Sequence, residues 1–173
     1  MSVIFSGCVG GLFVVDEIGD PSRILRSFPQ FEKTPSHQNS LEQSTSGTRH
    51  ILGVDEASYL RSCMLTSWVH GDRMDELIRN RREQSREVDL LCGAYAHLTR
   101  SGYWLNHGGA FGVHYLVYTS PPRDGHSMYL CIVTDTEMSQ SDVTVLLRLS
   151  RSVRKRAMLL VAEADDTFRV EML

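Results

Sequence analysis

The stretch FGVHYLVYTSPPRDGHSMYLCIV, residues 111–133, decides how the second half of the chain folds. It contains two runs rich in aromatic and β-branched residues, 111–119 and 129–133, and such runs predict β-strands. The segment TSPPRDG at 119–125 carries two prolines and an Asp-Gly step, which are typical of a rigid turn. The pattern therefore predicts an antiparallel hairpin.

Helices are predicted on both sides of this hairpin. Apolar residues recur with helical spacing over 88–98, and Arg-Ser-Gly follows them, as at a helix C-terminus. Beyond the hairpin, Ser139 and Asp142 resemble a helix capping box, and an apolar stripe over 143–153 provides the buried side of a second helix.

Three further strands complete this unit. Residues 103–106 predict a short strand, and 157–161 and 168–173 predict two final strands joined by the acidic turn 163–167. The order helix, strands, helix, strands predicts an α+β unit built over one sheet.

Residues 1–85 are predicted to form a separate N-terminal unit. Residues 3–15 are typical of buried strand material, and 54–68 predict a helix. The run 72–87 mixes both charge signs at three- and four-residue spacing, which favours a solvated helix face over an RNA contact surface. The segment PSHQNSLEQSTSGT at 35–48 has one apolar residue and predicts a disordered surface loop.

The composition restricts the classes of protein. A chain of 173 residues with 42% apolar and 23% charged residues allows one domain or two small ones with a buried core. The net charge of -3 excludes a globally basic protein, so RNA binding would depend on local clusters. Residues 3–15 are shorter than the ~20 residues of a membrane helix, and no Lys or Arg precedes them, so we predict neither membrane insertion nor export.

The cysteines and standard motifs indicate no metal or cofactor. The four cysteines lack a Cys-x-x-Cys pair, so we expect reduced, mostly buried thiols in a cytosolic or nuclear protein: Cys8, Cys63, Cys92 and Cys131. No Gly-x-Ser-x-Gly, GxGxxG or GxxxxGK[ST] motif occurs. Because Lys155 has no acidic residue nearby, metal-free chemistry is favoured, and no cofactor is predicted.

Three residues are candidates for chemistry. Tyr118 closes the first hairpin strand and His126 opens the second, so antiparallel pairing would bring the phenol and the imidazole to the same end of the sheet. Lys155 is notable because the chain has 16 Arg and only two Lys. The alternatives stay open: His126 on a polar loop, Tyr118 packing at a sheet edge, and Lys155 complementing the negative end of a helix.

Together, the segments AYAHLTRSGYWLNHGGAFGVHYLVYTSPPRDGHSMYLCIV and RLSRSVRKRAMLLVA resemble the catalytic domain of the tRNA-splicing endonucleases. The resemblance covers about residues 90–173 and rests on the order and spacing of five motifs: Arg-x-Gly-Tyr at 100–103, Phe-Gly at 111–112, Leu-Val-Tyr at 116–118, His-Ser at 126–127 and Ser-Val-Arg-Lys at 152–155. It implies a catalytic domain at 86–173 with a mixed β-sheet flanked by helices, and a small α/β domain at 1–85.

The resemblance also implies a function. Members of the family are metal-independent endoribonucleases that cut precursor tRNA at exon–intron junctions and leave a 2′,3′-cyclic phosphate and a 5′-hydroxyl. By motif, Tyr118 matches the general base, His126 the general acid, and Lys155 the cation that stabilises charge on the phosphorane. Arg148 matches an arginine that stacks on a flipped RNA base, and Arg169 is a candidate for the second such arginine.

Sister endonuclease subunits are the protein partners that the resemblance implies, in a homo-oligomer or a heteromer. The acidic turn with Glu163, Asp165 and Asp166 resembles the loop by which one subunit docks into a basic cleft on another. The last strand is where subunits of the family pair.

Two positions depart from the family pattern. Ala110 and His114 replace a Lys and an acidic residue that the family often has, which alters the electrostatics expected near Tyr118. An inactive paralogue that scaffolds the complex and binds tRNA is the alternative, but such paralogues lose triad members and all three are present here, so catalysis is favoured. The location expected is the nucleus for a eukaryotic protein and the cytoplasm for an archaeal one.

Overall fold

The computed structural model describes residues 2–18, 47–63, 68–163 and 167–173. The chain divides into two compact units, Met1–Cys92 and Gly93–Leu173. The predicted loop at 35–48 lies outside the described residues except for its last two, which belong to a strand that begins at Gly47. The loop therefore ends earlier than the sequence predicts.

The first unit combines helices with a four-stranded sheet. Its elements are β1 (Ser2–Val9), β2 (Leu12–Ile18), β3 (Gly47–Leu52), α1 (Val54–Cys63), β4 (Trp68–Val69) and α2 (Gly71–Gln84), with α3 (Arg86–Arg100) following. The strands lie in the order β3-β2-β1-β4. Strand β4 is parallel to β1, and the other neighbouring strands are antiparallel.

The strand prediction for residues 3–15 is confirmed, and these residues form a hairpin. Its turn requires glycine, because Gly10 and Gly11 have positive φ angles of 59° and 89°. The helix predicted over 54–68 is too long. It ends at Cys63, and Trp68 belongs to β4, as the β-propensity of the Trp-Val pair favours.

The charge run of α2 forms a solvated helix face, as predicted. Met74 and Ile78, four residues apart, are buried against Phe13 and Leu52 of the sheet, whereas most charged side chains of α2 are exposed. Burial of each such apolar side chain contributes about 1.5–3 kcal/mol to folding. Apolar packing therefore holds α2 on its sheet.

The second unit contains a five-stranded mixed sheet, which confirms the predicted α+β class. It begins at Gly93 within α3 and continues with β5 (Trp104–His107), β6 (Tyr115–Tyr118), β7 (Tyr129–Thr134), α4 (Gln140–Ser152), β8 (Arg156–Ala162) and β9 (Phe168–Met172). The strand order is β5-β6-β7-β8-β9. Only β7 and β8 run parallel within this sheet.

Strand β6 is shorter than the sequence predicts. The predicted strand starts at 111, but residues Gly109–Phe111 form a 3-10 turn and Gly112 takes a left-handed φ of 68°. A side chain at Gly108 would meet the Val113 carbonyl oxygen at 2.8 Å. Both glycines are therefore required by the tight connection from β5 to β6.

Helices cover both faces of this sheet. The predicted capping box of α4 is confirmed, because Ser139 Oγ accepts the Asp142 backbone N–H at 3.2 Å. Leu146 of α4 packs with Leu130 and Ala157 on one face. On the other face, Tyr95 of α3 meets Tyr115 edge to face, with ring centroids 6.0 Å apart.

Among the helices that the structure describes, none combines the length and the apolar composition that crossing a bilayer requires.

Candidate active site

Three strand ends meet at one edge of the second sheet. The end of β6 lies beside the start of β7, since Val117 pairs with Tyr129 in antiparallel register. Tyr129 in turn pairs with Arg156 at the start of the parallel strand β8. Tyr118, the loop that follows it and Lys155 therefore share this edge.

An open pocket of about 610 Å³ lies at this edge. Its lining includes Tyr118, His126 and Lys155, the three residues that the sequence predicts as catalytic. Leu116 and Arg123 line it as well. A base candidate and an acid candidate from the two sides of one loop, and a cation from further along the sequence, thus line one pocket.

Tyr118 is held firmly at the pocket wall. Only 9% of its surface is exposed, and its hydroxyl accepts a hydrogen bond from Asn106 Nδ2 at 3.3 Å. Trp104 lies directly opposite Tyr118 in the β5–β6 register. The strand pairing and this hydrogen bond fix the position of the phenol, and Tyr118 lines the pocket.

His126 lies in the loop before β7, which corrects the prediction that it opens the strand. Strand β7 begins only at Tyr129, and the His126 side chain is exposed. A 3-10 turn at Pro122–Asp124 shapes the loop, and the Asp124 N–H donates to the Pro121 carbonyl at 2.8 Å. The prolines therefore give the loop a defined path.

Lys155 is placed by the end of α4. The Arg154 N–H donates to the Arg151 carbonyl and the Lys155 N–H to the Ser150 carbonyl, which is the hydrogen-bond pattern of a Schellman C-cap. Arg154 takes the left-handed φ of 57° that glycine usually adopts there. The chain reverses at this point and enters β8.

The Lys155 ammonium is oriented within the pocket. Its Nζ donates to the Ser127 carbonyl at 2.8 Å, and Ser127 immediately follows His126. The cation is therefore coupled to the backbone that carries the imidazole. The Lys155 backbone N–H thus caps the end of α4, whereas its ammonium extends to the hairpin loop. The alternative in which the lysine charge complements the helix end concerns this ammonium and stays a prediction.

The pocket carries a small excess of positive charge. Lys155 and Arg123 are its cations, and Asp124 is a carboxylate in the same lining. The Arg123 Nε lies 3.7 Å from Asp124 Oδ1, and both side chains are mostly exposed, so this ion pair is weak. Such a lining suits a phosphodiester.

Sequence reasoning missed two residues of this region, Asn106 and Arg123. Arg123 lies inside the predicted hairpin loop between Tyr118 and His126. Its position in this loop is the sequence feature that could have identified it as a pocket residue. Asn106 shares a sheet face with Tyr118 only because of the β5–β6 register. Nothing in the linear sequence gives that register.

The predicted RNA-binding arginines lie apart from the described pocket lining. Arg148 is exposed on α4. Arg169 Nε donates to Glu163 Oε1 at 3.0 Å, and its guanidinium also contacts the Glu171 carboxylate. A base stacked on Arg169 would compete with these ion pairs, and both RNA-binding roles stay predictions.

The acidic turn is described only in part. Glu163 is exposed and bonded to Arg169, whereas Asp165 and Asp166 lie outside the described residues. The docking role of this turn stays a prediction.

The buried thiols are poor nucleophiles. Burial raises the pKa of the Cys131 thiol to about 12 and, with a smaller effect of nearby Asp55, that of Cys92 to about 11. Cys63 is exposed and Cys8 half-buried, so only two of the four thiols are buried, fewer than predicted. Across the described ranges, no three His, Cys, Asp or Glu side chains are grouped to hold a metal ion.

The first unit has a groove of about 740 Å³ with balanced charges. Arg61 forms two hydrogen bonds with Asp75, at 2.9 and 2.8 Å, and Arg82 bonds Asp89 at 2.7 Å. The groove is larger than the pocket around Tyr118, but four of its six charged side chains pair with each other, as Arg61–Asp75 and Arg82–Asp89. The smaller pocket therefore stays the candidate active site.

Comparison with known proteins identifies the class of this domain. Residues 88–171 match the family described as tRNA intron endonuclease, catalytic C-terminal domain. Residues 88–171 therefore form a catalytic domain of the tRNA-splicing endonuclease family, a family of tRNA-intron endonucleases.

Three similar proteins carry the name tRNA-splicing endonuclease. The protein of Methanopyrus kandleri is 39% identical over 79 residues, which cover 44% of this chain and 44% of the relative. The protein of Pyrococcus horikoshii is 25% identical over 122 residues, 69% of this chain and 72% of the relative. That of Thermococcus onnurineus is 28% identical over 121 residues, 67% and 70% of the two chains.

Proposed function

We propose that this chain is a subunit of a metal-independent endoribonuclease that cleaves precursor tRNA at exon–intron junctions. The products are a 2′,3′-cyclic phosphate and a 5′-hydroxyl. One observation carries the proposal: Tyr118, His126 and Lys155 line the same open pocket.

The reaction needs two proton transfers at opposite sides of one phosphate. Tyr118, as phenolate, takes the proton of the attacking ribose 2′-hydroxyl, and the 2′-oxygen forms a bond to phosphorus. The bond from phosphorus to the 5′-oxygen breaks, and His126, as imidazolium, protonates that oxygen. Each such transfer by a positioned group contributes about 10²–10⁴ in rate.

Lys155 stabilises the charge that develops on the non-bridging phosphate oxygens. Its ammonium is already oriented by the Ser127 carbonyl at 2.8 Å, so little reorganisation is needed during the reaction. The other cation of the lining, Arg123, adds to the positive potential for a polyanionic substrate.

The alternative function is an inactive paralogue that scaffolds the endonuclease complex and binds tRNA. A scaffold has no need to keep a phenol, an imidazole and an ammonium around one accessible pocket. The arrangement of the three groups therefore favours catalysis.

A cleavage assay tests this function. We expect the assembled enzyme to cut an intron-containing tRNA in excess EDTA and to leave a cyclic phosphate. The changes His126→Ala and Lys155→Ala should each lower the rate by about 10²–10⁴. His70→Asn is the matched control, because His70 is exposed and lies in the other unit.

Two outcomes would contradict the catalytic proposal: no cleavage by the assembled complex, or undiminished cleavage by the His126→Ala variant. Loss of cleavage in EDTA that added metal restores would contradict metal independence.

The protein partners that we propose are sister subunits, bound at the last strand. Strand β9 is an edge of its sheet, and it exposes Val170 and Met172, followed by exposed Leu173. An edge strand with exposed apolar side chains is suited to pairing with another chain.

A further inference from the structure

The Tyr118 oxygen has a hydrogen-bond donor on the neighbouring strand. Asn106 pairs with Leu116 across β5 and β6, and Trp104 pairs with Tyr118. Side chains two residues apart share a sheet face, so Asn106 and Tyr118 lie on the same one. Asn106 Nδ2 donates to Tyr118 Oη at 3.3 Å.

A donor at this oxygen changes the energy of the reacting group. A general base carries negative charge as phenolate, and a hydrogen bond to the charged form favours that form. The contact is partly buried, which strengthens its electrostatic effect. The amide also occupies one side of the oxygen, and Tyr118 itself lines the pocket.

We propose that Asn106 is a positioning residue that orients Tyr118 and stabilises its phenolate through this hydrogen bond. The inference rests on the proposed function, because it gives Tyr118 the role of general base. The amide suits the role since it donates without adding a charge of its own. Lys155, whose Nζ donates to the Ser127 carbonyl, is assigned to the phosphate in the proposed function, so Asn106 is the donor that acts on the phenolate.

Two substitutions at one position separate this role from simple packing. Asn106→Ala removes the donor. Asn106→Asp keeps the size of the side chain but presents a carboxylate. The carboxylate accepts a hydrogen bond from the neutral phenol and repels the phenolate. A packing role predicts that Asn106→Asp retains more activity than Asn106→Ala. The proposed role predicts the reverse order.

Single-turnover cleavage of an intron-containing tRNA by the full chain in its assembly measures that order. We expect Asn106→Ala to lower kcat about 10-fold and Asn106→Asp to lower it further, with KM unchanged in both. Asn80→Asp, the same change on the exposed surface of α2, should keep the wild-type rate. Thermal denaturation checks that the variants are folded.

A kcat in Asn106→Asp equal to or above that in Asn106→Ala would overturn the proposal. Such a result would mean that Asn106 acts by packing, or that its amide oxygen rather than its N–H faces the phenol. A wild-type kcat in Asn106→Ala would overturn it as well.

A titration of the tyrosine ring signals by NMR tests the contact without cleavage. The Tyr118→Phe variant identifies the Tyr118 signal. We expect the Tyr118 ring to ionise at higher pH in Asn106→Asp than in the wild type. An unmoved titration overturns the inference even if the enzyme cleaves tRNA, whereas a moved titration with no cleavage by the wild type overturns the proposed function alone.

Discussion

Arg123 lines the pocket together with the three candidate catalytic residues, but its expected role is in substrate binding and not in the chemical step. It lies on the loop between Tyr118 and His126, and 71% of its side chain is exposed. We therefore expect its guanidinium to bind a phosphate of the proposed RNA substrate. A phosphate contact affects binding and its salt dependence more than the chemical step.

We predict that Arg123→Ala weakens RNA binding about 5- to 20-fold and lowers the slope of log Kd against log salt by about 1. The measurement is a binding titration with a precursor tRNA that carries 2′-deoxyribose at the cleavage site. Arg100→Ala, an exposed arginine at the end of α3, serves as control. An unchanged salt slope would show that Arg123 makes no phosphate contact.

The sequence predicts which candidate side chains lie together when those residues are close in the chain. The hairpin loop brings Tyr118 and His126 to one pocket because it is short and rich in proline. Lys155 was predicted from its rarity and from the resemblance, but the C-cap that directs its backbone depends on a left-handed Arg154. Asn106 was missed because the register of two strands, which is set by tertiary packing, decides its neighbour.

At the scale of elements, the sequence predicts whether a segment is a helix or a strand better than it predicts the residues at which the element begins and ends. The aromatic and β-branched run that starts at 111 predicts a strand, yet Gly108 and Gly112 convert its first residues into a 3-10 turn before β6. Strand propensity does not include such a close approach: a Cβ atom added at Gly108 would lie 2.8 Å from the Val113 carbonyl oxygen. The capping box of α4, which is local chemistry, was predicted correctly.

Strand β9 carries a prediction about assembly at this scale. We expect the chain expressed alone to self-associate, and Val170→Lys to lower the mass measured by light scattering to that of a single chain. A lysine on an exposed sheet edge blocks pairing between edges at little cost to the fold, since 38% of Val170 is already exposed.

Val145→Lys is the matched control for this prediction. It places the same charge on α4, where 63% of Val145 is exposed, and should leave the mass unchanged. Self-association that persists in Val170→Lys would locate the subunit interface elsewhere.

At the scale of the whole molecule, the buried thiol of Cys131 links stability to pH. Cys131 lies on β7, inside the second sheet, and burial raises the pKa of its thiol from 9.0 to about 12. The folded protein therefore holds this proton more tightly than the unfolded chain. The resulting stability is fully present below pH 9.0 and is lost as pH rises toward 12.

We predict that the free energy of unfolding falls above pH 9.0 by up to about 1.4 kcal/mol per pH unit because of this thiol. Denaturant unfolding of the wild type and of Cys131→Ala at a series of alkaline pH values measures the effect. The variant should be about 1–2 kcal/mol less stable at neutral pH, since it leaves a cavity, but its stability should fall less steeply with pH. Cys63→Ala, which removes an exposed thiol, is the control. Other groups titrate in the same range in both proteins, so the difference between their slopes isolates Cys131, and equal slopes would mean that its proton is no better held in the folded protein.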